Sequence, residues 1–142
     1  MIVVDTTVLV YAVGSEHAYR DPSRSLMEAI GSGAIRATTS VEVIQEFAHV
    51  RACRRGRADA RRLATAYADL FGPLATTTER HLRTGLDWWD RHKAIGAFDA
   101  VLAAVAQDLG ATALISSDRA FARLTEVTHV LPDESGIAAL LA

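Results

Sequence analysis

Residues 1–13 read MIVVDTTVLVYAV, and this stretch decides the reading of the chain. Ile2-Val3-Val4 is a short apolar run that stops at Asp5, the pattern of a buried strand. Thr6 or Thr7 can then cap a helix through Val8–Val13, which Gly14-Ser15 ends. An acid therefore stands where a strand hands over to a helix. The arrangement recurs near the other end, where Ala113-Leu114-Ile115 runs into Ser116-Ser117-Asp118. In parallel α/β sheets, sites lie beyond the carboxyl ends of the strands, where strand order reverses. Asp5 and Asp118 are both expected there.

Outward from these ends, helices alternate with strands. Asp21-Pro22 reads as a helix start for a segment carrying Leu26, Met27 and Ile30 and ending near Gly31 or Gly33. Ala34–Thr38 reads as a second strand. Ser40 caps a long helix through Val41, Ile44, Phe47, Ala48 and Val50, interrupted by Gly56. The next helix has a stripe of Ala60, Leu63, Ala64, Tyr67, Leu70 and Phe71 at helical spacing and stops at Gly72-Pro73. Thr78 opens a helix holding Leu82, Leu86 and Trp89. Phe98-Asp99 begins an almost wholly apolar helix over residues 100–109 that Gly110 closes; it should be buried centrally. A fourth strand is expected over Val127–Leu131 and a short helix at the end. The alternation gives an α/β fold with a parallel sheet covered on both faces.

The bulk composition agrees. The chain has 142 residues, half of them hydrophobic and 23% charged, which suits one folded domain over residues 1–142. A single cysteine, Cys53, excludes an internal disulfide and any multi-cysteine zinc site. It reads as a partly buried small residue on a helix. No apolar run is long enough to cross a bilayer and no export signal is visible, so a cytoplasmic protein with no membrane partner is expected. The net charge of −2 argues against a general polyanion binder. Yet Arg51, Arg54, Arg55, Arg57, Arg61 and Arg62 fall within twelve residues.

The acids carry the chemistry. Asp5 lies between two apolar runs. Asp99 sits between Phe98 and a helix with almost no polar face, and Glu46 lies between Ile44 and Phe47 on a helix that must pack inward. Buried carboxylates are costly unless paired or bound to a cation, and no lysine or arginine is near in sequence on the apolar side. A hard cation with oxygen ligands, Mg²⁺ or Mn²⁺, is the economical solution. A carboxylate-held ion serves phosphodiester cleavage.

These segments resemble those of the PIN-domain nucleases: Asp5-Thr6-Thr7-Val8 at the first strand end, Thr39–Phe47 around Glu46, Phe98–Ala104 around Asp99, and Ser116–Phe121 around Asp118. Order and spacing hold across nearly the whole chain. The small size is similar to the VapC toxins of bacterial toxin–antitoxin pairs. The resemblance implies a three-layer α/β sandwich with a central parallel sheet of four or five strands. It also implies a Mg²⁺- or Mn²⁺-dependent endoribonuclease, a homodimer, and a cognate VapB-type antitoxin. Carried over, Asp5, Glu46, Asp99 and Asp118 match the metal-binding acids, and Thr7 matches the hydroxyl residue that holds the first Asp. Ser116 stands where the family often has Thr and keeps the hydroxyl. Glu42 lies one helical turn before Glu46 and competes for its role. Glu46 is preferred because a large apolar residue follows it.

Arg51, Arg54, Arg55 and Arg57 read either as contacts to RNA phosphates or to an antitoxin, or as a solvated helical surface. Of Trp88 and Trp89, one is expected in the core and the other exposed or at an interface. The five histidines are scattered and read as ordinary polar residues. Two other classes remain open. One is a doubly wound phosphatase with Asp5 as nucleophile, although the second acid such sites want is here Thr7. The other is a degenerate nuclease domain kept for protein binding.

Overall fold

A computed structural model describes residues 1–142. Four short parallel strands form one sheet in the order β2-β1-β3-β4, with β1 Ile2–Val4, β2 Ala37–Thr38, β3 Leu114–Ile115 and β4 His129–Val130. The chain passes from β1 outward to β2 on one side and later to β3 on the other. The strand order therefore reverses between β1 and β3. A lone parallel bridge, Ser40 to Ala75, extends the β2 edge without making a fifth strand.

Seven helices surround the sheet: α1 Thr6–Ala12, α2 Arg20–Gly31, α3 Val41–Arg55, α4 Arg57–Phe71, α5 Glu79–Arg91, α6 Ala97–Asp108 and α7 Glu134–Leu141. They pack in two sets. α1 touches α2 and α3, α3 pairs with α4, and α2 meets α7; α5 and α6 pair with each other. This is the expected three-layer sandwich. No helix is long and apolar enough to cross a membrane.

Local chemistry explains most element ends. Ser40 caps α3 through its Oγ, which accepts from Val43 N at 3.2 Å. Gly56, at φ 85°, takes the left-handed conformation that separates α3 from α4. The resulting hairpin is tied by Arg51 Nε donating to Asp59 Oδ2 at 2.6 Å. Gly110 closes α6 at φ 63°. α6 buries Ala100 and the run Leu102–Ala106, as an apolar helix in the middle of a layered fold should.

Three expectations needed correction. Helix α1 is capped by Asp5 itself, whose carboxylate accepts from Thr7 N, and not by Thr6 or Thr7. Helix α2 begins at Arg20, before Asp21-Pro22, because Tyr19 is already helical. Pro22 is tolerated in the first turn, where its missing N–H has no helical partner to lose. Cys53 is exposed and not partly buried. On α5 the face turned inward is His81, Gly85 and Trp88, while Leu82, Leu86 and Trp89 lie on the outer side. Gly85 is the reason: a Cβ there would stand 2.7 Å from Val101 Cα, so α6 backs onto α5 at the one residue without a side chain.

Candidate metal centre

Asp5 ends β1, Asp118 follows β3, Asp99 lies in the first turn of α6, and Glu46 projects from α3. All four line one cleft of about 450 Å³ at the point where the strand order reverses. That is where a parallel α/β sheet offers a site. The acids come from separate segments, so only the topology brings them together.

Asp5 is the anchor and is only 3% exposed. Its Oδ2 accepts from Ser116 Oγ at 2.7 Å, Thr7 Oγ1 at 2.8 Å and Thr7 N at 3.3 Å. The same hydroxyls orient the other strand end. Ser116 Oγ accepts from Asp118 N at 3.0 Å, and Thr7 Oγ1 accepts from Ser117 N at 3.0 Å. The two strand ends are thus locked through Thr7 and Ser116. No group of the chain donates to Asp5 Oδ1. The one fully buried side-chain polar atom without a partner is Ser23 Oγ, so Oδ1 reaches solvent through the cleft.

Asp99 shows the electrostatics. Its pKa is raised from an ordinary 3.8 to about 7, first by burial and then by the charges of Asp5, Asp118 and Glu46. Asp118 is exposed, and its Oδ1 accepts from Ala120 N at 2.9 Å, capping a short 3₁₀ turn over Arg119–Arg123. Glu46 is also exposed and not packed inward, and its Oε2 accepts from Thr6 Oγ1 at 3.0 Å. Glu42 does not line the cleft, and its Oε2 accepts from Thr77 Oγ1 at 2.9 Å.

The donor set is all oxygen, carries up to four negative charges, and has a free oxygen on its best-held member. That chemistry fits a hard divalent cation. No three of these side chains are already drawn into a ligand cage. Mg²⁺ does not require one, because it keeps several waters and uses one or two carboxylates.

Of the arginines, Arg54 lines the cleft. Arg51 is committed inward, to Asp59 and to Val13 O at 3.2 Å. Arg55 and Arg57 are exposed at the α3–α4 turn and do not line the cleft; Arg57 lines a separate groove with Ile44, Ala48 and Ala52. The cleft residues that sequence reasoning missed include Thr6, Tyr11, Glu16 and His17, with Glu16 a fifth carboxylate on the lining. Thr6 had a signal, a second hydroxyl beside the first acid. Tyr11, Glu16 and His17 had none, because their place in the cleft depends on how the loop after α1 folds back.

A profile of the PIN domain family matches residues 2–127. The chain belongs to the PIN-domain family. Among its relatives, Ribonuclease VapC7 of Mycobacterium tuberculosis is 51% identical over 142 residues, covering 99% of this chain and 98% of that protein. Ribonuclease VapC23 of the same species is 34% identical over 125 residues, 86% of this chain and 96% of that protein. A similar fold is seen in the crystal structure of VapC20, described as a Sarcin-Ricin loop cleaving toxin of M. tuberculosis. It has a TM-score of 0.72 at 20% identity and covers 89% of this chain and 98% of that one. The PIN fold accounts for the parallel sheet order and for the cleft at its switch point.

Proposed function

We infer that this PIN-domain chain is an endoribonuclease, the toxin component of a toxin–antitoxin pair, and that its activity depends on a divalent cation held by Asp5, Glu46, Asp99 and Asp118. The observation that carries the reading is the convergence of Asp5, Glu46, Asp99 and Asp118 on one cleft, where burial and the neighbouring carboxylates raise the pKa of Asp99. Like charges gathered in this way are expensive to keep and are common where chemistry needs them.

In this reading Asp5 and Asp99 would hold Mg²⁺ directly, and Mn²⁺ could substitute. Glu46 and Asp118 complete the site through water or a second ion. When bound, the cation supplies a more acidic water and offsets charge growing on the phosphate. The chain's own part is positional. Thr7 and Ser116 fix the rotamer of Asp5, Thr6 steadies Glu46, and Arg54 offers a guanidinium to a phosphate at the cleft wall. Arg55 and Arg57, exposed at the α3–α4 turn, add basic surface open to RNA or a VapB-type antitoxin.

The phosphatase alternative loses ground. The residue two after Asp5 is Thr7, and its hydroxyl donates to Asp5 where a general acid would be needed. A homodimer is part of the proposal. Leu82, Leu86 and Trp89 form an exposed stripe along α5 that a second copy would cover. We place the protein in the cytoplasm, where RNA and antitoxin are available. The test is digestion of total RNA by the purified protein. Discrete fragments should form with Mg²⁺ or Mn²⁺ and disappear with EDTA. Well-folded protein that leaves RNA intact at every metal concentration would overturn the reading.

A further inference from the structure

Tyr11, His17 and Tyr19 form an aromatic cluster beside the acids. Tyr11 lies in the last turn of α1, and His17 and Tyr19 lie on the loop that leads into α2. The rings of Tyr11 and His17 lie 4.5 Å apart, tilted by 30°, which is nearly face to face. Tyr19 braces both edge-on, at 5.4 Å from Tyr11 and 5.1 Å from His17. The His17 ring is fixed from behind, because its Nδ1 accepts from Tyr19 N at 3.0 Å. Tyr11 and His17 line the same cleft as Asp5, Asp99 and Asp118. His17 also lines a second groove of about 530 Å³ between α2 and α7, so it stands as a post between the two.

A cluster that served only to anchor the loop would bury its rings. Here the middle ring is the exposed one, held in a set orientation at the edge of the cleft. The cleft itself is strongly acidic, so Arg54 and any bound cation are its only positive charges for a polyanion. A rigid aromatic surface adds an attraction that does not depend on charge. Every nucleobase has a π-face, and single strands are held by stacking on such platforms.

We propose that Tyr11 and His17 form an aromatic wall that stacks on an unpaired nucleobase next to the phosphate held at the four-acid cleft. The proposal rests on the nuclease reading above and assigns to Tyr11 and His17 the uptake of the unpaired base. A helical RNA keeps its bases stacked on one another and cannot offer one to the wall.

The test uses the full chain in an Asp99→Asn background, with a short single-stranded oligoadenylate that carries one 2-aminopurine. Binding is read by anisotropy and stacking by quenching of the 2-aminopurine. His17→Ala should weaken binding roughly 5- to 150-fold and abolish the quenching. His17→Phe should restore both, and the dependence of affinity on salt should not change because no phosphate contact is lost. With Asp99 intact, His17→Ala should raise KM for RNA cleavage more than it lowers kcat. Unchanged affinity, quenching and KM in His17→Ala, or a loss that His17→Phe fails to restore, would overturn the wall while leaving the nuclease reading in place. Absence of both RNA binding and RNA cleavage would bring down the two together.

Discussion

Replacing Asp99 by Asn should make the metal-free protein more stable, and by an amount that depends on pH. A carboxyl whose pKa rises on folding from 3.8 to about 7 binds its proton more tightly in the folded state. Its contribution to stability is fully present below about pH 4 and is lost as pH rises to about 7 and above. Complete loss corresponds to a ceiling of about 4 kcal/mol, at 1.36 kcal/mol for each tenfold change in acidity. The cleft is open to water, and Asp118 and Glu46 are exposed, so screening should reduce this to about 1–2 kcal/mol. Asn keeps the shape of the side chain and never ionises. In EDTA at about pH 8, Asp99→Asn should therefore melt roughly 3–8 °C above wild type for a domain of this length. The gap should close toward pH 4. Saturating Mg²⁺ should reverse the order, since only the wild type gains binding energy. A variant less stable than wild type in EDTA at pH 8, or a gap that does not vary with pH, would refute the argument.

Other outcomes follow from particular contacts. Ser116→Ala removes the hydroxyl that links Asp5 Oδ2 to Asp118 N; it should cost about 1–3 kcal/mol in denaturant melts and lower metal affinity roughly 10- to 100-fold. Gly85→Ala forces a Cβ to 2.7 Å from Val101 Cα, so it should destabilise the fold by about 1–3 kcal/mol through overpacking between α5 and α6. Glu46→Gln should slow cleavage by roughly tenfold or more in single-turnover assays, whereas Glu42→Gln should stay within about twofold. The opposite ranking would mean that the wrong acid of α3 has been placed in the site.

Much of the site was legible because two of its acids sit at strand ends. An apolar run that breaks off at Asp5, and another that breaks off before Asp118, needs no tertiary knowledge to be noticed. Ser40, Gly56, Thr78 and Gly110 were legible for the same kind of reason, since a cap or a left-handed glycine acts within its own turn. Glu42 and Glu46 could not be separated by local chemistry alone. They lie one turn apart, and the choice depends on Thr6 from α1 and Thr77 from the loop before α5. The buried face of α5 was hidden because Gly85, which has no hydrophobic side chain, is the residue that lets α6 approach. Arg51 looked like its neighbours in a basic run, but Asp59 and the Val13 carbonyl turn it inward. Each of these cases turns on long-range partners, about which periodicity carries no information.

Cleavage of total RNA by Asp5→Ala and Asp99→Ala beside wild type, in Mg²⁺, with folding checked by circular dichroism, tests the four-acid centre most directly. Discrete fragments from the wild type that vanish in both well-folded variants are the predicted result. Fragments that persist in either variant would contradict the assignment of the cleft as the place where RNA is cut.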